Sequence, residues 1–325
     1  MKTEQRLLPA LLLGFTAAIL TTDAAAQTWP TRPVRMIVPY PAGGGTDIIA
    51  RTVAQKLGEK WGQQVVVDNR SGANGIIGTD LAAKSKPDGY TVVVVIATQA
   101  INPALYAKLP YNTEADFVPV TLLAQYPFIL TTHPSVPAKT VQEFIALAKK
   151  RPSEMSYASS GNGSGPHLGF ELFKSTAGIN IVHVPYKGAG PANTELIGGQ
   201  VQAFFNNILA AKPYIEANRL RVLAATSAKR SRAMPEVPTL AESGLPGFDV
   251  TGWYALLAPA GTPAAIISKI QADAAAGLQI PEVASRLSSE GAEPVGSTSA
   301  QLAKFLQSET QKWAKVVKMA NIKLD

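Results

Sequence analysis

Pro39-Tyr-Pro-Ala-Gly-Gly-Gly-Thr-Asp47 stands between two segments of different hydrophobic period. Before it, Val34-Arg-Met-Ile-Val38 is a short apolar run that reads as a buried strand. After it, Ile49, Val53 and Leu57 recur at helical spacing. Three glycines therefore occupy a strand-to-helix turn. Gly43, Gly44 and Gly45 carry no Cβ, so a ligand can come close to the backbone. The helix start adds N–H donors with no carbonyl one turn back, and about half a unit of positive charge. The spacing predicts Thr46 or Asp47 as the cap of that helix. Such a corner suits an anion. No Gly-Lys-Ser/Thr follows, so it is not a P-loop, and the G-x-G-x-x-G spacing of dinucleotide sites is missing. Taken alone, the stretch fits a flexible turn as well as it fits an anion site.

Outward from this stretch, strands and helices alternate. Residues 64–68 and 90–96 read as strands, the second continuous and β-branched as in a parallel sheet. A helix over 76–85 stops before Lys86-Pro-Asp-Gly89, a turn signal. Thr98, Gln99 and Asn102 are placed on the loop at the strand's carboxyl end, where open α/β sheets bind ligands. Residues 117–132 form a long extended run, and 140–150 a helix.

The opening pattern then recurs. A strand over 155–158 leads into Ser159-Ser-Gly-Asn-Gly-Ser-Gly165 and a helix with Pro166 at its first position. Two such corners in separate lobes can face each other across a cleft, which favours binding over a flexible turn. Tyr186 and Lys187 follow a strand over 181–184, and Asn206 and Asn207 follow one over 201–205. A strand over 220–226 precedes an extended run over 250–258. Gly261-Thr-Pro263 opens a helix with Thr262 as cap, and helices over 264–278, 281–290 and 299–319 complete the chain. The runs near 117–132 and 249–258 read as two crossings that form a hinge. Lobe 1 would comprise 27–125 and 251–325, with lobe 2, 126–250, inserted; a single large α/β domain is the alternative.

The amino terminus reads as an export signal. Lys2 and Arg6 precede an apolar stretch over 7–20, and Ala24-Ala-Ala26 supplies small residues for cleavage after Ala26. The apolar stretch is too short for a good membrane span, although an uncleaved anchor is the alternative. With no cysteine there is no disulfide, no thiolate metal site and no lipid-bearing Cys. A periplasmic, unlipidated chain of about 300 residues is expected, a size at which single cores split. Its formal charge of +7 suits anionic ligands only loosely, and no basic block with interleaved aromatics points to nucleic acid.

Several motifs in register then resemble one family. They are Pro39-Tyr-Pro-Ala-Gly-Gly-Gly-Thr-Asp47, Val67-Asp-Asn-Arg-Ser-Gly-Ala-Asn-Gly75 and Ser160-Gly-Asn-Gly-Ser-Gly-Pro-His167. Val184-Pro-Tyr-Lys-Gly188, Ala225-Thr-Ser-Ala-Lys-Arg230, Val237-Pro-Thr-Leu-Ala-Glu242 and Ala258-Pro-Ala-Gly-Thr-Pro263 follow in order. From about residue 29 onward the chain resembles the Bug family, the extracytoplasmic solute receptors of tripartite tricarboxylate transporters. The resemblance implies an α/β, two-lobed periplasmic binding protein of type II-like architecture. It implies a small carboxylate ligand, held mainly by backbone N–H groups and water, and delivery to membrane transporter subunits. Carried over by position, Tyr40, Ala42, Gly43, Gly44, Thr46 and Asp47 form one jaw, and Ser160, Gly161, Asn162, Gly163, Ser164 and His167 the other. Loops near Thr98, Tyr186, Asn206 and Trp253 are expected to set the distal pocket. Many family members carry Asp-Asn where this chain has Asn206-Asn207, which favours a plain dicarboxylate or aromatic acid here. A monomer with no cofactor and no metal is expected.

Two other classes compete. A hydrolase needs an assembled site, yet the three histidines, His133, His167 and His183, fall in no H-E-x-x-H motif. Gly161-Asn-Gly-Ser-Gly165 is not G-x-S-x-G, because its serine is fourth. A ligand-dependent sensor that contacts a membrane partner is the third class, and the residues are compatible with it as a second role.

Overall fold

The computed structural model describes residues 29–289 and 291–322. The export signal over 1–26, with its cleavage after Ala26, falls outside the described residues. The first half begins β1 (Val34–Val38), α1 (Gly45–Trp61), β2 (Val65–Asn69), α2 (Ile76–Ala83), β3 (Thr91–Val95) and α3 (Thr98–Leu105). The long β4 (Phe117–Thr132) leads into α4 (Val141–Lys150), β5 (Ser156–Ser159), α5 (Gly165–Ala177), β6 (Val182–Pro185) and α6 (Ala189–Ile197). β7 (Ala203–Asn207), α7 (Ile208–Glu216) and β8 (Arg221–Ala225) follow. β9 (Thr251–Pro259), α8 (Ala264–Leu278), α9 (Pro281–Ser289), β10 (Glu293–Pro294) and α10 (Ser299–Met319) end the chain.

β1 lies between β2 and β3 and is parallel to both, as its fully apolar inward positions require. β9 joins β3 antiparallel. β4 is shared: Phe117 to Pro127 pairs with β9, while Phe128 to Thr132 pairs with β7 and β8. Beyond β7, β5 and β6 continue the second half in parallel. One strand thus runs through both halves of a two-lobed α/β fold. The return crossing lies beside it. Thr251 is paired with Pro127, and Val250 donates its N–H to the Thr226 carbonyl at 2.8 Å. The Thr226 hydroxyl stitches the two crossings: it takes the Phe128 N–H at 3.0 Å and reaches the Val250 carbonyl at 2.6 Å.

The apolar core differs between the two faces of the sheet. On one face a single cluster runs from Val93 and Trp253 through Phe128 to Phe144, Phe170 and Phe205, so both halves share it. On the other face the first half has its own core around Ile49, Val94 and Leu256. The second half has separate clusters around Ile208 and Phe204. Shared packing holds one side together, and the split side is where a cleft can open.

Some local readings are corrected. Thr98, Gln99 and Asn102 lie in α3 rather than in a loop, because Thr98 to Asn102 and Leu105 are buried against neighbours. Pro103 inside that helix removes a bond, a cost that burial offsets. α7 has no counterpart in the sequence reading, since Pro213 within it masks the helical pattern. Pro263, not Thr262, caps α8; the Thr262 hydroxyl instead binds the Pro259 carbonyl at 2.8 Å. Pro166 is the second residue of α5, after Gly165.

Candidate functional site

The first glycine corner is built from the end of β1 and the start of α1. Gly43 takes a left-handed φ of +82°, and Gly44 is the cap residue, with no side chain to offer. The cap therefore differs from the expected Thr46 or Asp47, because both already lie inside the first turn. Asp47 does another job. Its Oδ2 accepts the Gly43 N–H at 2.9 Å and Arg51 Nε at 2.9 Å, and its Oδ1 accepts Asn69 Nδ2 at 3.1 Å. Burial opposes its charge, but those bonds outweigh burial and hold its carboxyl below the usual range. A Cβ on Gly45 would stand 2.3 Å from the Tyr254 hydroxyl, so only glycine fits. The N–H groups of Gly45, Thr46 and Asp47 have no carbonyl one turn back.

The second corner joins β5 to α5. Gly163 has a φ of +73°, and the Ser164 side chain caps the helix by accepting the His167 N–H at 3.4 Å. His167 Nδ1 accepts the Gly163 N–H at 3.0 Å. The imidazole stacks on His183 with centroids 3.8 Å apart, and His183 lies 4.9 Å from the Tyr157 ring. His183 Nε2 is 2.6 Å from Ser159 Oγ. Burial pushes His167 down to about 4 and His183 down to about 3, the second lowered further by His167 beside it. Ser159 and His183 have the spacing of a nucleophile and base, but Ser159 is fully buried and closed to substrate. The donors of this corner are largely committed. The Ser164 N–H goes to the Gly161 carbonyl at 3.2 Å, and Pro166 has no N–H.

A cavity of about 380 Å³ opens at the first corner, on the face where the cores are split. Gly43, Gly44, Gly45 and Thr46 line one side, and Ala189, Asn207 and Ala210 the side of the second half. Tyr126 and Tyr254 form its floor from the crossing strands, and Leu287 and Ala292 also contribute. Among the described residues, no lining side chain is charged. The two tyrosine rings stack at 5.0 Å, and burial pushes the Tyr126 hydroxyl up to about 12. Gly252 makes room, since a Cβ there would fall 2.1 Å from the Tyr126 ring. Phe128 meets Tyr126 edge-on at 5.5 Å and lies 3.2 Å from a Cβ built on Gly165. A row of rings therefore connects the first residue of α1 to the first residue of α5. A second cavity, of about 340 Å³, lies between α3, α10 and the sheet near Gln99, Phe117 and Leu306, and neither glycine corner borders it.

Of the residues singled out from sequence, Gly43, Gly44 and Thr46 line the first cavity. Ala42 is exposed beside it, outside the lining. The Tyr40 hydroxyl bonds to Thr98 Oγ1 and its ring covers Gly75, so the two residues brace the loops beneath the corner. Burial raises the Tyr40 hydroxyl above its ordinary range. Ser160, Gly161, Asn162, Gly163, Ser164 and His167 gather at the second corner, outside the lining. Tyr186 runs beside that corner, its N–H donated to the Ser159 carbonyl at 3.1 Å. Asn206 is fully buried and donates to Asn193 Oδ1, while its neighbour Asn207 reaches the cavity. Strand alternation separates Trp253 from Tyr254: the Trp253 indole turns to Glu309 and the Tyr254 ring to the cavity. Sequence reasoning missed Tyr126, Ala189, Ala210 and Leu287; the one available signal was Gly252, whose missing Cβ matches Tyr126 only when the strand register is known.

Known proteins agree with this architecture. The profile of the tripartite tricarboxylate transporter family receptor matches residues 49–322. Protein BugT of Bordetella pertussis is 40% identical over 321 residues, which cover 98% of this chain and 98% of BugT. Among solved structures, R. palustris Rpa4515 with adipate has a TM-score of 0.83 and 38% identity, over 91% of this chain and 100% of that one. The periplasmic binding protein BugD has a TM-score of 0.78 and 33% identity, over 91% of this chain and 100% of its own. With its motifs, its shared β4 and these likenesses in accord, the chain belongs to the tripartite tricarboxylate transporter receptors of the Bug family, which are periplasmic solute-binding proteins.

Proposed function

We propose that this receptor captures a small carboxylate in the cavity at the first glycine corner and delivers it to membrane transporter subunits. The observation that carries this reading is a cavity with no charged side chain among the described residues, set at a helix start whose first N–H groups have no intrahelical acceptor. A carboxylate there gains charge-assisted bonds from Gly45 and Thr46. Its body lies over Tyr126 and Tyr254, facing Asn207 and the starts of α6 and α7. About 8 kcal/mol of net binding energy is enough for micromolar affinity. Bound adipate in Rpa4515 supports the ligand class, and a dicarboxylate or an aromatic acid suits the aromatic floor. In this reading the chain is exported, cut after Ala26, carries no lipid and works as a monomer. Residues 27–125 with 251–325 form one lobe, and 126–250 the lobe that closes on it. Catalysis is not part of the role, since the Ser159 hydroxyl of the close Ser159–His183 pair is fully buried and closed to substrate.

The test is a thermal-shift screen on protein that has been unfolded, stripped and refolded, with adipate, aromatic acids and the matching amides. Binding to the native state raises the midpoint by mass action. A rise with an acid and none with its amide is expected; a rise only with sugars or nucleotides overturns the reading. Gly44→Val is the companion variant. A Cβ on Gly44 meets only the Pro41 carbonyl, at 3.7 Å, so the fold tolerates it while the ligand is pushed away. Affinity should fall by about 100-fold, the loss of roughly two charge-assisted bonds; unchanged affinity in calorimetry removes this corner from the site.

A further inference from the structure

The two glycine corners repeat one local design. In each, a left-handed glycine is followed by a cap residue and then by Gly45 or Gly165 as the first helical residue. In each, the third helical residue turns its side chain back. Asp47 takes the N–H of Gly43, and His167 takes the N–H of Gly163, both across four residues. Both side chains are buried, at 4% and 5% exposure. Two chemically unlike groups therefore make the same bond at matching places in the two halves.

Each acceptor is itself held from behind. Arg51 and Asn69 also bond to the Asp47 carboxylate, one on each oxygen. His183, fixed to Ser159, stacks on the His167 ring. A carboxylate engaged in this way is not open to a ligand, and a bare one would repel an anion. An Nδ1 that accepts a backbone N–H has no proton of its own to give.

We infer that Asp47 and His167 are positioning residues rather than ligand contacts: each sets the shape of a glycine loop by binding the N–H of the glycine four residues before it. Each tie withdraws one N–H from the loop and holds the next residues so that their N–H groups point outward. Gly44, Gly45 and Thr46 then form the donor edge of the first corner, and Gly165 that of the second. This inference rests on the carboxylate reading for its effect on affinity, but not for its geometry.

The experiment uses the full mature chain labelled with ¹⁵N, and reads the Gly43 and Gly163 amide resonances together with adipate affinity. His167→Phe keeps a ring to stack on His183 and removes the acceptor; His167→Asn returns an acceptor. Asp47→Ala and Asp47→Asn form the same pair for the first corner. In the Phe and Ala variants the corresponding glycine amide proton should move upfield and adipate affinity drop by about ten-fold, with the Asn variants recovering part of both. A merely structural role would lower the melting temperature without a selective shift at Gly43 or Gly163. Glycine amides that stay in place in both the Phe and Ala variants overturn the inference, as do shifted amides with affinity still within about two-fold of wild type. If adipate does not bind the wild type, the acid that raises the midpoint in the thermal-shift screen replaces it as the probe; if no acid does, the carboxylate reading falls and the amide resonances alone decide the ties.

Discussion

Single atoms govern the approach to the first corner. The absent Cβ of Gly45 leaves space for the Tyr254 hydroxyl, which would otherwise stand 2.3 Å from it. Gly45 has ordinary helical geometry, so the demand for glycine here comes from a neighbour and not from φ. Gly45→Ala should therefore cost stability by overpacking, about 1–3 kcal/mol. The next ring atom, Cζ, is 3.4 Å away, at ordinary contact distance. Removing the hydroxyl in Tyr254→Phe should then suppress most of the Gly45→Ala cost. Chemical denaturation of the two single variants and the double variant measures the coupling. Additive costs would mean that the clash is taken up elsewhere. Gly163 is a different case, since its φ of +73° strains any other residue whatever the space around it. A valine there would report backbone strain together with any loss of binding.

At the scale of elements, α10 and the crossing strands decide what the cleft rests on. Glu309 on α10 is 4% exposed, and its Oε2 accepts both the Trp253 and the Trp313 indole N–H at 2.9 Å. Lys312 bonds to its other oxygen. Glu309→Ala leaves two buried indole donors without an acceptor and should cost about 2–4 kcal/mol, with Glu309→Gln, which keeps an acceptor, costing less. Denaturation midpoints compared at equal m-value check the order. Thr226 does the corresponding work between the crossings. Thr226→Val keeps shape and removes the hydroxyl, so the buried Phe128 N–H loses its partner. A loss of about 1–3 kcal/mol follows from one unpaired buried donor. Hydrogen exchange at Phe128 should accelerate selectively; a uniform change would place the effect away from the hinge.

For the whole molecule, the divided core accounts for where a cleft can open and what keeps it from opening everywhere. One apolar cluster spans both halves beneath α5 and α10, while the clusters on the opposite face stay separate. In the proposed capture of a ligand, closure would pivot about β4 and Val250 and disturb the shared face least. The stacked imidazole pair adds a global pH dependence. Both His167 and His183 sit below their usual 6.5, at about 4 and about 3. The unfolded chain binds protons at these positions below about pH 6.5, whereas the folded chain does so only near 4 and 3. Stability is therefore whole above pH 6.5 and declines as the pH falls toward those values. Melting temperatures between pH 7 and 5, above most carboxylate titration, should fall less in His183→Phe than in the wild type. Equal slopes would show that the imidazoles do not carry this loss.

Much of this was legible in the chain itself. β1 and α10 have the bounds that their hydrophobic periods imply, and the long run over 117–132 is a single strand. Both glycine corners and the family resemblance follow from short-range spacing, because turns, caps and helix starts are set by neighbouring residues. Three things required the tertiary structure. The cap at Gly44, the ties from Asp47 and His167, and the Ser159–His183 pair depend on which way side chains turn at the end of a strand. The cavity wall at Ala189, Asn207 and Ala210 depends on how the second half is set against α1. The tyrosine floor depends on the register that places Gly252 opposite Tyr126. Local sequence determines where the backbone turns; only packing between segments far apart in the chain determines which groups meet across the space that the turns leave.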